Sequence, residues 1–307
     1  MQGIHITGMA KYIDIFTDYG FKKIFGEEAN KNFLIDFLNA LLPASAHIKD
    51  LTFKNTEQLP VTINERKAVY DIYCENERGE KFIVELQKAK QDYFMERTIY
   101  YSTFPISGQA IKGEWDYNLK AVYCIGILDF KFSDYTNEGE KGEVVHTHTI
   151  KNQHNRQVYD KLTYIYLEMP NFSKEEHELK TRLDQWLFFI KNLESFTVIP
   201  EIFKNDVVFI EAIEKAELAR MSEEALSTYL AGLKEYRDNI SKINTAKREG
   251  REEGEANKEQ YADEKAKERE KQTKLEMAKN CLGDGMSIAK TAKLTGLTED
   301  EIRNITA

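Results

Sequence analysis

Val69-Tyr70-Asp71-Ile72-Tyr73 and Phe82-Ile83-Val84-Glu85-Leu86-Gln87 decide the fold, because each run places a carboxylate where a strand core normally holds an apolar side chain. Both are rich in β-branched and aromatic residues, and Asn76-Glu77-Arg78-Gly79-Glu80 between them reads as a hairpin loop with Gly79 in the left-handed position. If Glu77, Arg78 and Gly79 form the loop, Asn76 pairs with Glu80. Counting back then sets Asp71 opposite Glu85 and Val69 opposite Gln87, with Asp71, Glu85 and Gln87 on one face. Opposed β-carbons lie only about 4.5–5.5 Å apart, where like charges repel. A divalent cation would offset that repulsion.

Oxygen ligands at this spacing suit a hard ion such as Mg²⁺, which takes one or two carboxylates and keeps waters for substrate phosphates. Phosphodiester hydrolysis is the natural use. The ion lowers the pKa of a bound water, and Gln87 can orient that water through its amide without supplying positive charge. The same residues also read as a solvated hairpin in which Asp71 and Glu85 pair with Lys81 or Lys88.

Asp71 followed by Glu85-Leu86-Gln87 resembles the Asp…Glu-x-Lys core of the PD-(D/E)XK nuclease superfamily, with Gln87 standing where many members have lysine. Thr17-Asp18-Tyr19-Gly20-Phe21-Lys22-Lys23-Ile24-Phe25-Gly26, Asp71-Ile72-Tyr73-Cys74, Phe82 to Gln87 and Arg97-Thr98-Ile99-Tyr100-Tyr101 are similar to one branch, the Rpn family of recombination-promoting nucleases. In that branch a Glu-x-Gln ending is usual. The resemblance covers roughly the first two thirds of the chain. It implies a restriction-endonuclease-like α/β core with a mixed central sheet, Asp71 and Glu85 as metal ligands, Gln87 as the third catalytic position and DNA as substrate. It also implies a link to mobile-element recombination or phage defence.

Composition fits this expectation only in part. The 307 residues contain enough apolar side chains for a large core, and no run approaches a membrane span. No secretion signal is recognisable at the N-terminus, and Cys74, Cys124 and Cys281 read as isolated reduced thiols, so a cytoplasmic location without disulfide or zinc framework is expected. His146 and His148 alternate along a strand and could reach one metal, but read better as polar positions on an outer face. The formal net charge of −9 gives no basic footprint for coating DNA. Residues 242–276 carry ten basic and ten acidic side chains and residues 277–307 four of each, so the acidic excess lies wholly within residues 1–241. Substrate binding there depends on Mg²⁺ and local cations.

Outside the hairpin, Asp18 or Thr17 is expected to cap a short helix with Phe21, Ile24 and Phe25 on its apolar face, and a second helix follows through Phe33 to Leu38. Asp18, Glu27 or Glu28 could add an accessory acid. Thr52-Phe53 belongs to a first strand. A helix is predicted over 93–115, with Arg97, Tyr100, Tyr101 and Phe104 at three-to-four-residue spacing, so that Arg97 can face a phosphate; Lys88 is a second candidate for substrate binding. Ala121-Val122-Tyr123-Cys124-Ile125-Gly126-Ile127-Leu128 reads as a central strand buried on both faces. Strands over 144–150 and 162–169 extend the sheet, and helices begin near Lys174.

The domain organisation expected is a nuclease-like domain over 1–200, a helical extension over 201–245, a charged helical linker over 246–274 and a small helix-turn-helix-like unit over 275–307. That last unit reads as helices over 275–282, 287–294 and 298–305, with Ser287 and the Thr298-Glu299-Asp300-Glu301 capping box at their starts. Its final helix presents Glu299, Asp300 and Glu301 where a DNA reader needs basic or polar groups, which favours packing or protein contact, including self-association. The sequence therefore points to a Mg²⁺-dependent deoxyribonuclease. A non-catalytic interaction protein that keeps the fold is the rival reading.

Overall fold

The structure, a computed structural model, describes residues 10–58, 67–110, 116–131 and 142–306. Its first helix, α1 (Asp18–Phe25), starts because the Thr17 hydroxyl accepts the Gly20 N–H at 3.0 Å. Thr17 is thus the cap, and Asp18, expected to share that role, lies in the first helical turn and pairs with Lys22 at 2.8 Å. Gly20 is required: a β-carbon there would sit 2.1 Å from the carbonyl oxygen of Asp14. Helix α2 (Lys31–Leu41) buries Phe33, Leu34, Phe37 and Leu38 beneath the sheet.

The main sheet has six strands: β1 (Leu51–Phe53), β4 (Ile72–Asn76), β5 (Lys81–Gln87), β6 (Val122–Leu128), β7 (Val145–Lys151) and β8 (Gln157–Glu168), in the order β1-β4-β5-β6-β8-β7. β5, β6 and β8 run parallel and the other pairs antiparallel. The hairpin has the expected register, with Ile72 opposite Val84, Glu75 opposite Lys81 and Gly79 at φ +79°. It departs from expectation at its open end. Val69 does not continue toward Gln87; with Ala68 it forms β3 (Ala68–Val69), which pairs with β2 (Glu57–Gln58) in a separate two-stranded sheet. The chain bends through Tyr70 and Asp71 before β4 begins, and Gln87 pairs instead with Leu128.

Every residue of β6 is buried, as a strand covered on both faces requires. On one face Phe82, Val84, Leu86, Ile125 and Ile127 join the main core under α1, α2, α4 (Arg182–Asn192) and α5 (Val207–Ala216). Trp186 is fully buried there, with ring centroids 4.6 Å from Phe209 and 5.5 Å from Phe25. Phe203, Phe209, Ile213 and Tyr229 belong to this same core. On the opposite face α3 (Phe94–Ser107) covers Tyr73, Ile83, Val122 and Cys124 with Tyr101 and Phe104. This helix is shorter than predicted: it stops at Ser107, just after Pro105, with Gly108 as its cap, and residues 111–115 lie outside the described segments.

By its internal contacts the chain divides into residues 1–236 and 237–307. Helix α6 (Glu223–Gly283) is continuous over 61 residues, so the segment 275–282, expected as a separate helix, is its last part. Gly250 and Gly254 cost helix propensity but do not end it. In the second unit Ala278, Leu297 and Ile302 form a small core between the end of α6, α7 (Ile288–Thr295) and α8 (Glu299–Thr306). Gly296 caps α7 at φ +71°, and Thr298 and Glu301 exchange the capping-box bonds at 2.8 and 3.3 Å. Ser287 stands at the N-cap of α7 without a side-chain bond to it.

Candidate active site

Asp71 and Glu85 meet where the hairpin leaves the sheet. The Asp71 N–H donates to Glu85 Oε1 at 3.2 Å, and the Leu86 N–H donates to Asp71 Oδ2 at 2.8 Å. Each carboxylate is thus tied to the backbone beside the other, and among the described residues neither makes an ion pair. Glu85 is only 9% exposed. Burial first, and then the charge of Asp71, push the Glu85 carboxyl up to about 8. Burial likewise raises Asp71, opposed by the Leu86 N–H and the charge of Lys22. Two desolvated carboxylates that resist ionising together supply the hard oxygen donors that a divalent cation takes. Among the described residues no group of three or more His, Cys, Asp or Glu is arranged around one metal position, so these two would hold an ion with water completing its shell.

Gln87 lies on the same face as Glu85, two residues along β5, and both ends of its amide are engaged. Its Nε2 donates to the Ala89 carbonyl at 2.9 Å, and its Oε1 accepts from Arg97 Nη2. Arg97 also donates from Nη1 to Gln91, and its guanidinium carbon lies 5.1 Å from the Phe94 ring centroid and 5.8 Å from that of Tyr101. Its Nε is buried without a hydrogen-bond partner. The positive charge of Arg97 lowers Glu85 against the dominant burial effect. Helix α3 is pinned to the sheet by two hydroxyl pairs, Thr98 with Tyr166 at 2.6 Å and Ser102 with Tyr164 at 2.8 Å. Gly126 stands between Glu85 and Tyr166 in the sheet, and a β-carbon there would lie 3.0 Å from the Tyr166 ring.

Lys88 projects to the opposite face from Gln87. Its ammonium sits 5.0 Å from the Tyr236 ring centroid, and burial lowers its pKa against the raising charges of Asp18, Asp14 and Asp71. Around it lie groups that sequence reasoning missed. Burial raises Asp14 to about 6, and Asp129, also raised by burial, accepts a hydrogen bond from the Tyr236 hydroxyl at 2.9 Å. Lys22 was missed too. Burial would lower it, but Asp18, Asp71 and Glu85 together raise it, which sets this lysine on the acidic side of the site. The Asp18-Tyr19-Gly20-Phe21-Lys22 motif held that information, since a cap at Thr17 fixes which way Lys22 points. Of the other accessory acids, Glu27 pairs with Lys23 at 2.9 Å and Glu28 with Lys31 at 3.4 Å.

The histidines need one correction. His146 is buried rather than on an outer face, with Nε2 3.1 Å from the Glu143 carbonyl oxygen and 3.8 Å from Glu168, while His148 packs edge-on against Tyr166. Strand β7 turns these positions toward the face that α3 covers.

The sequence has a counterpart among known families: the model of the PD-(D/E)XK nuclease family transposase matches residues 15–246. The chain belongs to this family. No curated protein and no solved structure matches it. Membership makes this a protein of nuclease fold in a group linked to mobile elements, and the matched span contains the whole sheet, α1 to α5 and the first turns of α6. Among the described residues no helix is long and apolar enough to cross a membrane.

Proposed function

We propose that the protein is a Mg²⁺-dependent endonuclease that hydrolyses DNA phosphodiester bonds during mobile-element recombination. The observation that carries this reading is the pair Asp71 and Glu85: the first half-buried and the second buried, back-to-back through the 3.2 and 2.8 Å backbone bonds, and without an ion-pair partner among the described residues. A structural ion pair would include a cation; a carboxylate pair that destabilises its own ionisation is kept for something it binds.

Asp71 and Glu85 would hold the ion, which when bound supplies Lewis acidity at the phosphate and a more acidic water. The protein does the rest. The Asp71 and Leu86 backbone N–H groups fix the two carboxylates, the bend at Tyr70–Asp71 keeps the first of them at the start of β4, and Lys22 and Arg97 limit the negative charge that an incoming phosphate meets. In the hydrolysis the oxygen of water bonds to phosphorus, one P–O ester bond breaks, the hydroxyl stays on the phosphate and the remaining proton goes to the leaving alcohol oxygen. The acidic balance of residues 1–241 makes DNA binding depend on the cation as well as on these side chains.

The test is incubation of supercoiled plasmid with the purified protein. Nicked or linear product is expected with Mg²⁺, and none in EDTA or with Asp71→Ala. Intact plasmid under all conditions, or equal cutting by Asp71→Ala, overturns the assignment and leaves an interaction protein built on the nuclease fold.

A further inference from the structure

The third position of the site poses a chemical problem. A phosphodiester approaching two carboxylates needs a fixed positive charge beside it, and the strand residue in position to provide one is Gln87, which is neutral. Its amide is also not free to act as a water-orienting group, since Nε2 donates to the Ala89 carbonyl and Oε1 accepts from Arg97. Arg97 arrives at that spot from α3, one turn into the helix, and its head group is held on every side. Gln87 and Gln91 each take one of its nitrogens, and its guanidinium carbon lies 5.1 Å from the Phe94 ring centroid and 5.8 Å from that of Tyr101. Its Nε is buried without a hydrogen-bond partner.

We propose that Arg97, held in place by Gln87, is the cation that contacts the scissile phosphodiester, so that the charge of this site comes from helix α3 and Gln87 is its positioning residue. This rests on the nuclease reading above and goes beyond it by exchanging the roles of two residues. Arginine suits the task because a planar fork can keep protein acceptors on one edge and offer its remaining N–H groups to phosphate oxygens. An amide at position 87 follows directly: its carbonyl oxygen is an acceptor for the guanidinium, whereas a lysine there would set an ammonium against Arg97 and leave Nη2 unpaired. Neither Glu85 nor Asp71 can serve as the acceptor without giving up the charge needed for the metal. The Phe94 and Tyr101 rings beside Arg97 reduce the screening of its charge by water.

A four-variant cleavage experiment tests the assignment, with folding checked by circular dichroism and binding of a labelled oligonucleotide with Ca²⁺ in place of Mg²⁺ as a readout independent of cutting. Arg97→Gln is expected to lower kcat by roughly a hundredfold and to weaken oligonucleotide binding, while Arg97→Lys keeps part of both. Gln87→Lys alone is expected to lose most activity, because it displaces Arg97. Gln87→Lys combined with Arg97→Gln moves the charge onto the strand and is expected to cut at least tenfold faster than either single variant. Arg97→Gln within threefold of wild type in both cutting and binding overturns the proposal, as does a double variant no better than Arg97→Gln. Those outcomes leave the nuclease reading standing, since it is judged by wild type against Asp71→Ala; a wild type that neither cuts nor binds defeats both.

Discussion

Two parts of the first unit bury carboxylates in opposite ways. Around α4 and α5, Arg182 donates to Asp36 at 2.6 Å and to Asp206, lies 4.6 Å from the Phe209 ring centroid, and shares Asp36 with the Trp186 indole N–H at 2.6 Å. Burial pushes Asp206 up, but Arg182 outweighs it and holds the carboxyl below its usual range; Asp184 is likewise lowered by Lys174 and the backbone at Lys180 and Thr181. At the mouth of β4 and β5 the same burial acts on Asp71 and Glu85, and there the nearby cations do not win. Charge satisfied inside the fold stabilises it; charge left unsatisfied costs stability and is available to a ligand.

The comparison breaks first through substitution. Glu85→Gln should reduce cleavage by more than about a hundredfold while raising the melting temperature of metal-free protein at pH 8 by roughly 2–4 °C, since it removes a buried charge. Arg182→Gln should do the reverse, lowering Tm by roughly 5 °C through two carboxylates left half-buried, with activity per folded molecule unchanged. Calorimetry beside the plasmid assay reads both. If Glu85→Gln destabilises as much as Arg182→Gln, the two regions are alike and the contrast is lost.

Titration sharpens it further. Unfolded Glu85 ionises near its ordinary value but folded Glu85 only around 8, so in that window the folded state binds more protons and the stability of metal-free protein falls as pH rises. For Asp206 and Asp184 the folded pKa is depressed, so their contribution is present above the ordinary carboxylate range and is lost as pH falls through it. Thermal unfolding in EDTA from pH 3 to 9 should show both limbs, with Glu85→Gln flattening the upper one. A flat profile between pH 5 and 8 in the wild type would contradict the unsatisfied state of the pair.

The smallest effect is expected from the tail. Removing residues 245–307 leaves the sheet, its core helices and the α6 residues Tyr229 and Tyr236 intact, so cleavage should change by less than about threefold. A loss beyond tenfold would move substrate binding into the second unit.

The carboxylate pair was legible because hairpin register is set locally: Gly79 fixes the turn, the turn fixes Asn76 against Glu80, and the count then reaches Asp71 and Glu85. The count failed at Val69, because the preceding strand β2 takes up the backbone of Ala68 and Val69 in a sheet of its own. Pro105 and Gly108 signalled the early stop of α3, and helical periodicity was given too much weight against them. The Gln87–Arg97 contact had no sequence signal of its own, because the angle at which a helix crosses a sheet depends on packing between their facing side chains. Asp14 escaped notice for a similar reason: its backbone N–H donates at 2.9 Å to the hydroxyl of Tyr229 in α6, more than two hundred residues away.

Gly126 gives that packing a mechanical meaning. The hydrogen in place of its side chain leaves room for the Tyr166 ring, and Tyr166 in turn shares a hydroxyl hydrogen bond with Thr98, one residue after Arg97. A single methyl group added at Gly126 would press on Tyr166 and be transmitted as a displacement of a few tenths of an ångström to α3. The reach of the guanidinium is therefore gauged by an absent atom in the centre of the sheet, and the site's tolerances are held by a residue that carries no chemistry at all.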